Sequence, residues 1–288
     1  GKILFDLYAQ TGDERYKIAM DTLRKQMAEQ PRTSEGGFWH KLRYPHQMWL
    51  DGIFMASPYL VQYGATFNEP ALFDEATKQI LLINSKTYDP AAGLFYHGWD
   101  ESREQKWSNP ETGCSPNFWS RSIGWYGAAI VDVLDFLPQE TAGRDSIIQI
   151  LQGLAKAIVK YQDPSSGTWY QVTDQGAREG NYLESSATAL FIYTLAKAIN
   201  KGYIGNEYIE PTQKAFDGMV KTFTRLEEDG SYTITNCCAV AGLGGDSKRY
   251  RDGSFEYYIS EPIIENDPKS VGSFILAAIE YEKMTEKK

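Results

Sequence analysis

A loose repeat occurs four times along the chain and limits the folds that it can adopt. In each unit an amphipathic helix ends at a Gly-containing turn, a short aromatic loop follows, and a more apolar helix then begins. Repetition of this kind indicates helical pairs that bury their apolar faces against neighbouring pairs. The predicted units, given as first helix, loop and second helix, are 13–29, 36–40 and 47–63; 70–86, 93–97 and 117–137; 143–161, 167–171 and 182–200; and 208–226, 230–233 and 268–284.

The two helices of each unit differ in polarity, which assigns them to two layers. The first has a polar face and is expected to be an outer helix, whereas the second is apolar on most sides and must be buried as an inner helix. Small residues at Gly124, Gly127 and 128–129 would let neighbouring inner helices approach closely. The third outer helix has two candidate N-caps, Thr141 and Asp145.

Alternating outer and inner helices with aromatic loops at one end predict an all-α (α/α) toroid. Together with an apolar helix at 1–11, the repeat gives nine helices, whereas a closed barrel of six pairs has twelve. We therefore expect residues 1–288 to form a single (α/α)6 barrel domain whose remaining outer, inner and outer helices precede Gly1. The alternative is an open helical solenoid. The aromatic loops in every unit favour the barrel, because a barrel would bring them around one pocket.

Charge and composition exclude several classes of function. The net charge is −9 and there is no Lys/Arg-rich block, which argues against a nucleic-acid-binding protein. An anionic substrate would therefore need local cations to attract it. No apolar stretch reaches about 18 residues, so no transmembrane helix is expected. Cys114, Cys237 and Cys238 form a poor disulfide framework and indicate reduced thiols, and His40 and His46 lack a third ligand at metal-binding spacing.

Asp51 is the first candidate catalytic residue. It lies in the densest polar and aromatic cluster, 36–52, within the first turn or so of a predicted inner helix. A helix N-terminus favours a carboxylate, whereas burial among aromatic side chains raises the pKa of a carboxyl group. A group under both influences can be tuned to hold or release a proton. The alternative is that Asp51 only caps the helix.

Arg121 is the second candidate, in the cluster 119–126 between Trp119 and Trp125. It follows Asp51 by 70 residues, about one unit of the repeat, so the two residues should lie at the same rim on neighbouring inner helices. A buried arginine needs an anionic partner. That partner could be a substrate carboxylate, bound by two parallel hydrogen bonds, or an acidic side chain of the protein.

His97 is expected at the same rim. A lone histidine is more often structural, but His40 and His97 occupy matching positions, each directly after two aromatic residues of its loop. The Gly-rich run 242–245 follows no clear strand, so a phosphate-binding loop is not expected.

At these residues the sequence resembles glycoside hydrolase family 105, the unsaturated rhamnogalacturonyl hydrolases. The most specific blocks are Met-Trp-Leu-Asp-Gly at 48–52 and the run from Trp119 to Tyr126 that contains Arg-Ser-Ile-Gly-Trp-Tyr. The resemblance covers essentially the whole chain, and its carrying segments are 33–41, 44–52, 93–100, 111–126, 169–171 and 183–186.

The resemblance implies an (α/α)6 barrel in the cytoplasm without cofactor or metal. It implies a pectin-derived oligosaccharide substrate, a 4,5-unsaturated galacturonyl group on rhamnose, with Asp51 as the catalytic residue. Arg121 and His97 would contact the uronate carboxylate and the ring hydroxyls. The substrate-binding residues carried over are His40, Lys41, Met48, His97, Trp119, Arg121 and Trp125.

Two functional alternatives remain at this point. One is an unsaturated glucuronyl hydrolase acting on glycosaminoglycan-type disaccharides, and the other is a non-catalytic sugar-binding barrel. Family members carry a second functional aspartate in the barrel segment just before the point where this chain begins, and Glu184 is an alternative supporting carboxylate. The stretch 237–264, which is Gly-rich and contains several tyrosines, is a candidate cover for the pocket.

Overall fold

The fold is built from long helices that alternate between two layers. A computed structural model describes residues 1–245 and 250–286. The helices are α1 (Ile3–Thr11), α2 (Glu14–Glu29), α3 (Leu50–Phe67), α4 (Ala71–Thr87), α5 (Ser120–Leu134), α6 (Arg144–Lys160), α7 (Ser185–Asn200), α8 (Ile209–Phe223), the short α9 (Phe255–Ile259) and α10 (Pro268–Glu286). Their order reproduces the predicted repeat, with helix starts shifted by a few residues.

The inner layer runs from α3 through α5 and α7 to α10, each helix packing against the next. The outer helices α4, α6 and α8 pack on this layer. Nearly every residue of α5 and α7 is buried, as predicted for inner helices. The architecture is that of an (α/α)6 barrel, as the repeat predicted. In contrast, α10 exposes Ile275, Leu276 and Ile279 on the face away from α7, so its apolar side chains are not buried all round.

Small residues allow the close approach of α5 and α7, as predicted. A Cβ atom on Gly124 would lie 2.7 Å from the Leu190 Cβ, and one on Gly127 would lie 2.8 Å from the Thr194 Oγ1. Separations this short are not tolerated in a packed interior. The predicted start of the third outer helix at 143 is within one residue of α6, but both N-cap candidates, Thr141 and Asp145, were wrong. The N-cap of α6 is Gly143, with a φ of 86° and no side-chain capping bond, because only glycine adopts that backbone conformation freely.

The same close packing makes a stability prediction at Gly218 in α8. A Cβ atom there would lie 1.8 Å from the Ser166 carbonyl oxygen, which is backbone and cannot swing away. Gly218→Ala should therefore force α8 away from the turn that follows α6 and lower the free energy of unfolding by about 1–3 kcal/mol. Gly153→Ala in α6 is the control, because its added methyl group meets nothing within 4 Å and alanine favours a helix by up to about 1 kcal/mol. Urea denaturation should separate the two variants in opposite directions, and equal effects would contradict this packing argument.

Within residues 1–245 and 250–286, eight short strands form four antiparallel pairs in the loops at one end of the helices. The pairs are β1 (Gln47–Trp49) with β4 (Gly98–Asp100), β2 (Tyr88–Asp89) with β3 (Leu94–Phe95), β5 (Thr224–Leu226) with β6 (Tyr232–Ile234), and β7 (Cys237–Cys238) with β8 (Ile263–Ile264). The predicted helical start at Gln47 was wrong, because residues 47–49 extend to pair with the loop of the next unit.

One backbone contact recurs between successive units and positions the aromatic loops. The first N–H groups of a helix have no partner within the helix and must be satisfied from outside. Here the N–H of the first residue of an inner helix donates to a carbonyl oxygen in the loop of the following unit. The pairs are Leu50 to His97 at 3.0 Å, Ser120 to Gln171 at 3.1 Å, and Ser185 to Asn236 at 3.0 Å.

A buried charge network joins the inner helices at the opposite end. The Lys197 ammonium of α7 lies 2.6 Å from the Asp132 carboxylate and 2.7 Å from that of Asp135. Lys2 contacts the other Asp132 oxygen at 2.7 Å, and the Tyr193 hydroxyl donates to Asp132 at 2.5 Å. Burial alone would raise the pKa of Asp132, but Lys2 and Lys197 hold it below its ordinary value.

Candidate active site

A cavity of about 610 Å³ opens at the loop end of the inner helices. Its walls come from the loop before α3, from the first turns of α3, α5 and α10, and from residues 240–241 and 251. The lining residues are His40, Lys41, Arg43, Tyr44, Trp49, Asp51, Met55, Trp119, Arg121, Trp125, Val240, Ala241, Arg251, Pro268 and Lys269. The size and the aromatic walls suit a small sugar.

Asp51 lies in this cavity as the second residue of α3. The N-cap of α3 is Trp49, and no side chain caps the helix, so the alternative that Asp51 serves only as a cap is wrong. The Asp51 Oδ2 lies 3.1 Å from the Nε2 of His97, and the Asp51 side chain is 16% exposed. Asp51 is thus a partly accessible carboxyl group with a histidine behind it.

Opposing effects set the pKa of Asp51. Burial alone would raise it, but the neighbouring His97 and, more weakly, His40 hold the pKa of the Asp51 carboxyl below its ordinary value. In the unliganded protein Asp51 is therefore ionised at neutral pH. The environment of the cavity, including any bound anion, can change that state.

His97 lies behind Asp51 rather than in the cavity wall. It is fully buried, and its Nδ1 lies 2.8 Å from the Tyr258 hydroxyl. The hydrogen bond from the Leu50 N–H to the His97 carbonyl oxygen fixes the start of α3 against the loop that contains His97. In the unliganded protein both ring nitrogens of His97 lie next to protein groups, and its expected contact with the ring hydroxyls of a substrate stays a prediction.

Met48 is also displaced from its expected place in the pocket. It is 2% exposed, and a Cβ atom on Gly37 would lie 2.1 Å from its sulfur, so the Met48 side chain packs beneath that glycine. Successive side chains of a strand point to opposite sides. In β1, Trp49 faces the cavity and Met48 therefore faces away from it.

His40 lines the cavity beside Asp51, as expected from the sequence. Its ring stacks on that of Trp49, with centroids 4.1 Å apart and planes at 13°. Burial lowers the pKa of His40 to about 4 despite the attraction of Asp51, so His40 is neutral at neutral pH. Among the hydrogen bonds of residues 1–245 and 250–286, none satisfies its buried Nδ1.

Arg121 reaches the cavity from α5, but part of its guanidinium is bound by the protein. The Nη1 atom donates to the Cys238 carbonyl at 2.5 Å and to the Ser186 hydroxyl at 3.1 Å, and it lies 3.8 Å from the Glu184 carboxylate. The structural alternative for Arg121, a pairing with an acidic side chain, is therefore present. This orientation leaves at most one edge of the guanidinium for a ligand.

Glu184 does not reach the site as a supporting carboxylate. It is fully buried and is the N-cap of α7, where it accepts hydrogen bonds from Ala187 N, Cys238 N and the Ser186 hydroxyl. These bonds use its oxygens to fix the Cys237–Cys238 strand against α7. Glu184 thus positions the cavity wall.

The structure brings together six of the eight residues named from the sequence. Lys41 lines the cavity from the loop before α3, and Trp119 and Trp125 line it from α5. The sequence reasoning missed further lining residues. Five of them lie in irregular segments, whose positions no periodicity predicts, and the other four lie in β1, α3 and α10, whose packing around the cavity depends on the whole fold. The missed residues are Arg43, Tyr44, Trp49, Met55, Val240, Ala241, Arg251, Pro268 and Lys269.

The stretch 237–264 provides part of the cavity wall. Val240, Ala241 and Arg251 line the cavity, and Tyr258 contacts His97. Residues 246–249 lie outside the described residues, so covering of the pocket by this stretch stays a prediction. Cys114, Cys237 and Cys238 are free and buried.

This arrangement is suited to proton transfer. A carboxyl group and a histidine are in contact, aromatic rings flank them, and cationic side chains surround the opening. Among the described residues no group of three His, Cys, Asp or Glu side chains could hold a metal ion. Within the same residues no helix is long and apolar enough to cross a bilayer.

Comparison with known proteins agrees with this geometry. The Glycosyl Hydrolase Family 88 model matches residues 1–285. The structure of a family 105 glycoside hydrolase from C. acetobutylicum ATCC 824 is 45% identical with a TM-score of 0.95, and the match covers 98% of this chain and 78% of that one.

Two curated sequences are also similar. "Protein Atu3128" from Agrobacterium fabrum is 37% identical over 230 residues, which span 78% of this chain and 97% of that protein. "Unsaturated rhamnogalacturonyl hydrolase YesR" from Bacillus subtilis is 26% identical over 236 residues, which span 80% of this chain and 63% of that protein.

Proposed function

The chain belongs to the hydrolases described by the family 88 model and, among them, to glycoside hydrolase family 105, and we propose that it releases 4,5-unsaturated galacturonate from the non-reducing end of rhamnogalacturonan fragments. The observation that carries this proposal is the Asp51–His97 pair, whose carboxyl group lines a cavity together with aromatic and cationic side chains. The similarity to YesR supports the choice of rhamnogalacturonan.

The charges of the cavity support an anionic substrate. Among its described lining residues are the five cationic side chains Lys41, Arg43, Arg121, Arg251 and Lys269, whereas Asp51 is the one carboxyl group. The chain as a whole has a net charge of −9, so long-range attraction would not bring in a uronate. These local cations can supply the attraction instead. Three of them also contact a carboxylate of the protein: Arg121 that of Glu184, Arg251 that of Glu261, and Lys269 that of Asp267.

In the proposed mechanism Asp51 acts first as an acid and then as a base. The unsaturated sugar is an enol ether, and Asp51 donates a proton to C4 as positive charge develops at C5. Water adds at C5 and gives up a proton to the Asp51 carboxylate. The resulting hemiketal opens at its ring oxygen, and the hemiacetal left at C1 then expels rhamnose. This route differs from attack at the anomeric carbon by two carboxylates.

The acid step needs a protonated Asp51, which the bound substrate helps to supply. A uronate carboxylate in the cavity places a second negative charge near Asp51, and a like charge raises the pKa of a carboxyl group. Substrate binding therefore opposes the effect of His97 and favours proton uptake by Asp51. The group can then act as an acid in the complex although it is ionised in the free protein.

The direct test is loss of the ultraviolet absorbance of the unsaturated uronate. The proposal expects faster loss with unsaturated galacturonyl-rhamnose than with unsaturated glucuronyl disaccharides from glycosaminoglycans. The reverse preference would favour the glucuronyl alternative. Absence of turnover with every unsaturated disaccharide would contradict the proposed reaction. A cytoplasmic location stays a prediction from the family resemblance.

Lys41 gives a separate prediction about substrate binding. Its side chain is exposed at the cavity opening, where a single charge contact contributes at most about 1 kcal/mol. Lys41→Gln should therefore raise KM about two- to fivefold and leave kcat within twofold, as steady-state kinetics would show. Lys25→Gln on the outer helix α2 is the control and should change neither constant. A fall in kcat alone would contradict a role in ground-state binding.

A further inference from the structure

Each ring nitrogen of His97 lies close to a specific side chain of the protein. Its Nε2 lies 3.1 Å from Asp51, and its Nδ1 lies 2.8 Å from the hydroxyl of Tyr258. The imidazole is fully buried and is flanked by the rings of Trp49 and Trp119, at centroid distances of 5.3 and 4.7 Å. In this setting the direction of the ring and the position of its proton depend on Tyr258.

Tyr258 is itself held firmly in place. It is fully buried in α9, its ring stacks on that of Trp119 at 14°, and its carbonyl oxygen accepts a hydrogen bond from the Gln171 amide at 3.1 Å. The Trp119 indole N–H donates to the other end of the same Gln171 amide at 3.1 Å. These contacts determine where the Tyr258 hydroxyl points.

We propose that Tyr258 is a positioning residue that fixes the orientation and the tautomer of His97 and, through His97, the protonation state of Asp51. This inference rests on the proposed function of Asp51 as acid and base. Tyr258 does not line the cavity and is not expected to contact substrate.

The Tyr258 hydroxyl can form a hydrogen bond with Nδ1 of His97 in both protonation states of the Asp51–His97 pair. When the pair carries no extra proton, Tyr258 donates to Nδ1, so the proton of neutral His97 is on Nε2, the nitrogen that lies 3.1 Å from Asp51 Oδ2. When the pair gains a proton, Nδ1 carries a hydrogen and the Tyr258 oxygen accepts it. Rotation of one hydroxyl group therefore accompanies each gain or loss of a proton during turnover.

Loss of the hydroxyl changes the balance between these states in a predictable direction. An unpaired N–H of a buried cationic imidazole costs more than an unpaired nitrogen lone pair of a neutral one. Removing the hydroxyl thus weakens the interaction by which His97 lowers the pKa of Asp51, and the pKa of Asp51 rises. The other titratable groups facing the pair are His40, before α3, and Arg121 of α5, and both are unchanged.

Tyr258→Phe is the test. We expect kcat to fall about ten- to a hundredfold, as when the outer partner of a functional histidine is removed, with KM within about twofold. The limb of the pH profile that reports Asp51 should move to higher pH. Tyr126→Phe is the matched control, because it removes an equally buried hydroxyl that donates to Ile80 O at 3.1 Å and Tyr126 does not line the cavity; it should leave kcat and the pH profile unchanged.

Imidazole ¹⁵N spectra give a readout that does not depend on activity. The chain has three histidines, so their signals can be assigned with single His variants. His97 should show one tautomer in the wild-type protein and a changed pattern in Tyr258→Phe. Should that variant fail to fold, 3-fluorotyrosine at position 258 keeps the shape but is a weaker acceptor, and the pH limb should move the same way by less.

An unchanged pH profile and an unchanged His97 spectrum in either folded variant would overturn the role of Tyr258. Absence of turnover in the wild-type protein would instead contradict the proposed function, while the spectra would still test the contact with Tyr258. The two failures are therefore distinguishable.

Discussion

Replacing Asp51 with Asn should lower kcat by about 10²–10⁴-fold, the range for loss of a general acid–base group. The upper end is expected, because one carboxyl group performs both the protonation at C4 and the activation of water. The amide is nearly isosteric and leaves the cavity walls in place, so KM should change little. Loss of absorbance of the unsaturated uronate measures the rate, and ligand titration of the variant with intact substrate measures binding.

Turnover by Asp51→Asn at the wild-type rate would remove Asp51 from the mechanism. A fall in binding that matches the fall in rate would instead assign it to substrate binding. The pH dependence gives a further check. The profile of kcat/KM reports the free enzyme and that of kcat reports the complex. Because a bound uronate raises the pKa of Asp51, the falling limb should lie at higher pH in kcat than in kcat/KM.

Replacing Lys197 with Met should lower the free energy of unfolding by about 3 kcal/mol. Removing one member of a buried ion pair typically costs about 3–5 kcal/mol. The lower end is expected, because Lys2 and the Tyr193 hydroxyl still contact Asp132. Urea denaturation followed by circular dichroism measures the loss. The activity of the folded variant should stay near that of the wild type, because the network lies at the end of the helices away from the cavity.

Lys201→Met is the matched control for the charge network. Lys201 pairs with Asp135 at 2.7 Å but is 46% exposed, and exposed pairs contribute about 0–1 kcal/mol. Equal losses in the two variants would contradict the importance of burial. The pKa of Asp132 is lowered in the folded protein, so its contribution is present at neutral pH and is lost as the pH falls through that lowered value. The difference between wild type and Lys197→Met should shrink accordingly in acid.

The repeat predicted most of the fold because helix periodicity is a local property of the sequence. Both helices of all four units occur, and Gly124 and Gly127 lie where α5 and α7 meet. The spacing of 70 residues between Asp51 and Arg121 correctly placed them at one rim. The N-cap of α6, Gly143, was missed because it depends on backbone conformation rather than on a capping side chain.

The errors within the site arise from contacts between distant segments. Pairing of β1 with β4 turned Met48 away from the cavity and brought His97 behind Asp51. No periodicity shows that Tyr258 reaches His97 across 161 positions of the chain. Likewise, Glu184 and the Cys238 carbonyl bind part of Arg121 only after α5, α7 and β7 have come together.

The contact that joins successive units also offers an account of how chemistry arises in a repetitive protein. Leu50, Ser120 and Ser185 each donate to the loop of the next unit, so the residues that follow them, Asp51, Arg121 and Ser186, are structural counterparts. The equivalent position in three successive units thus carries an acid, a cation and a hydroxyl group. Copies of a single unit could diverge in the side chain at this position while the backbone contact stayed the same. An ancestor built from identical units would then acquire an asymmetric, reactive centre without a new fold.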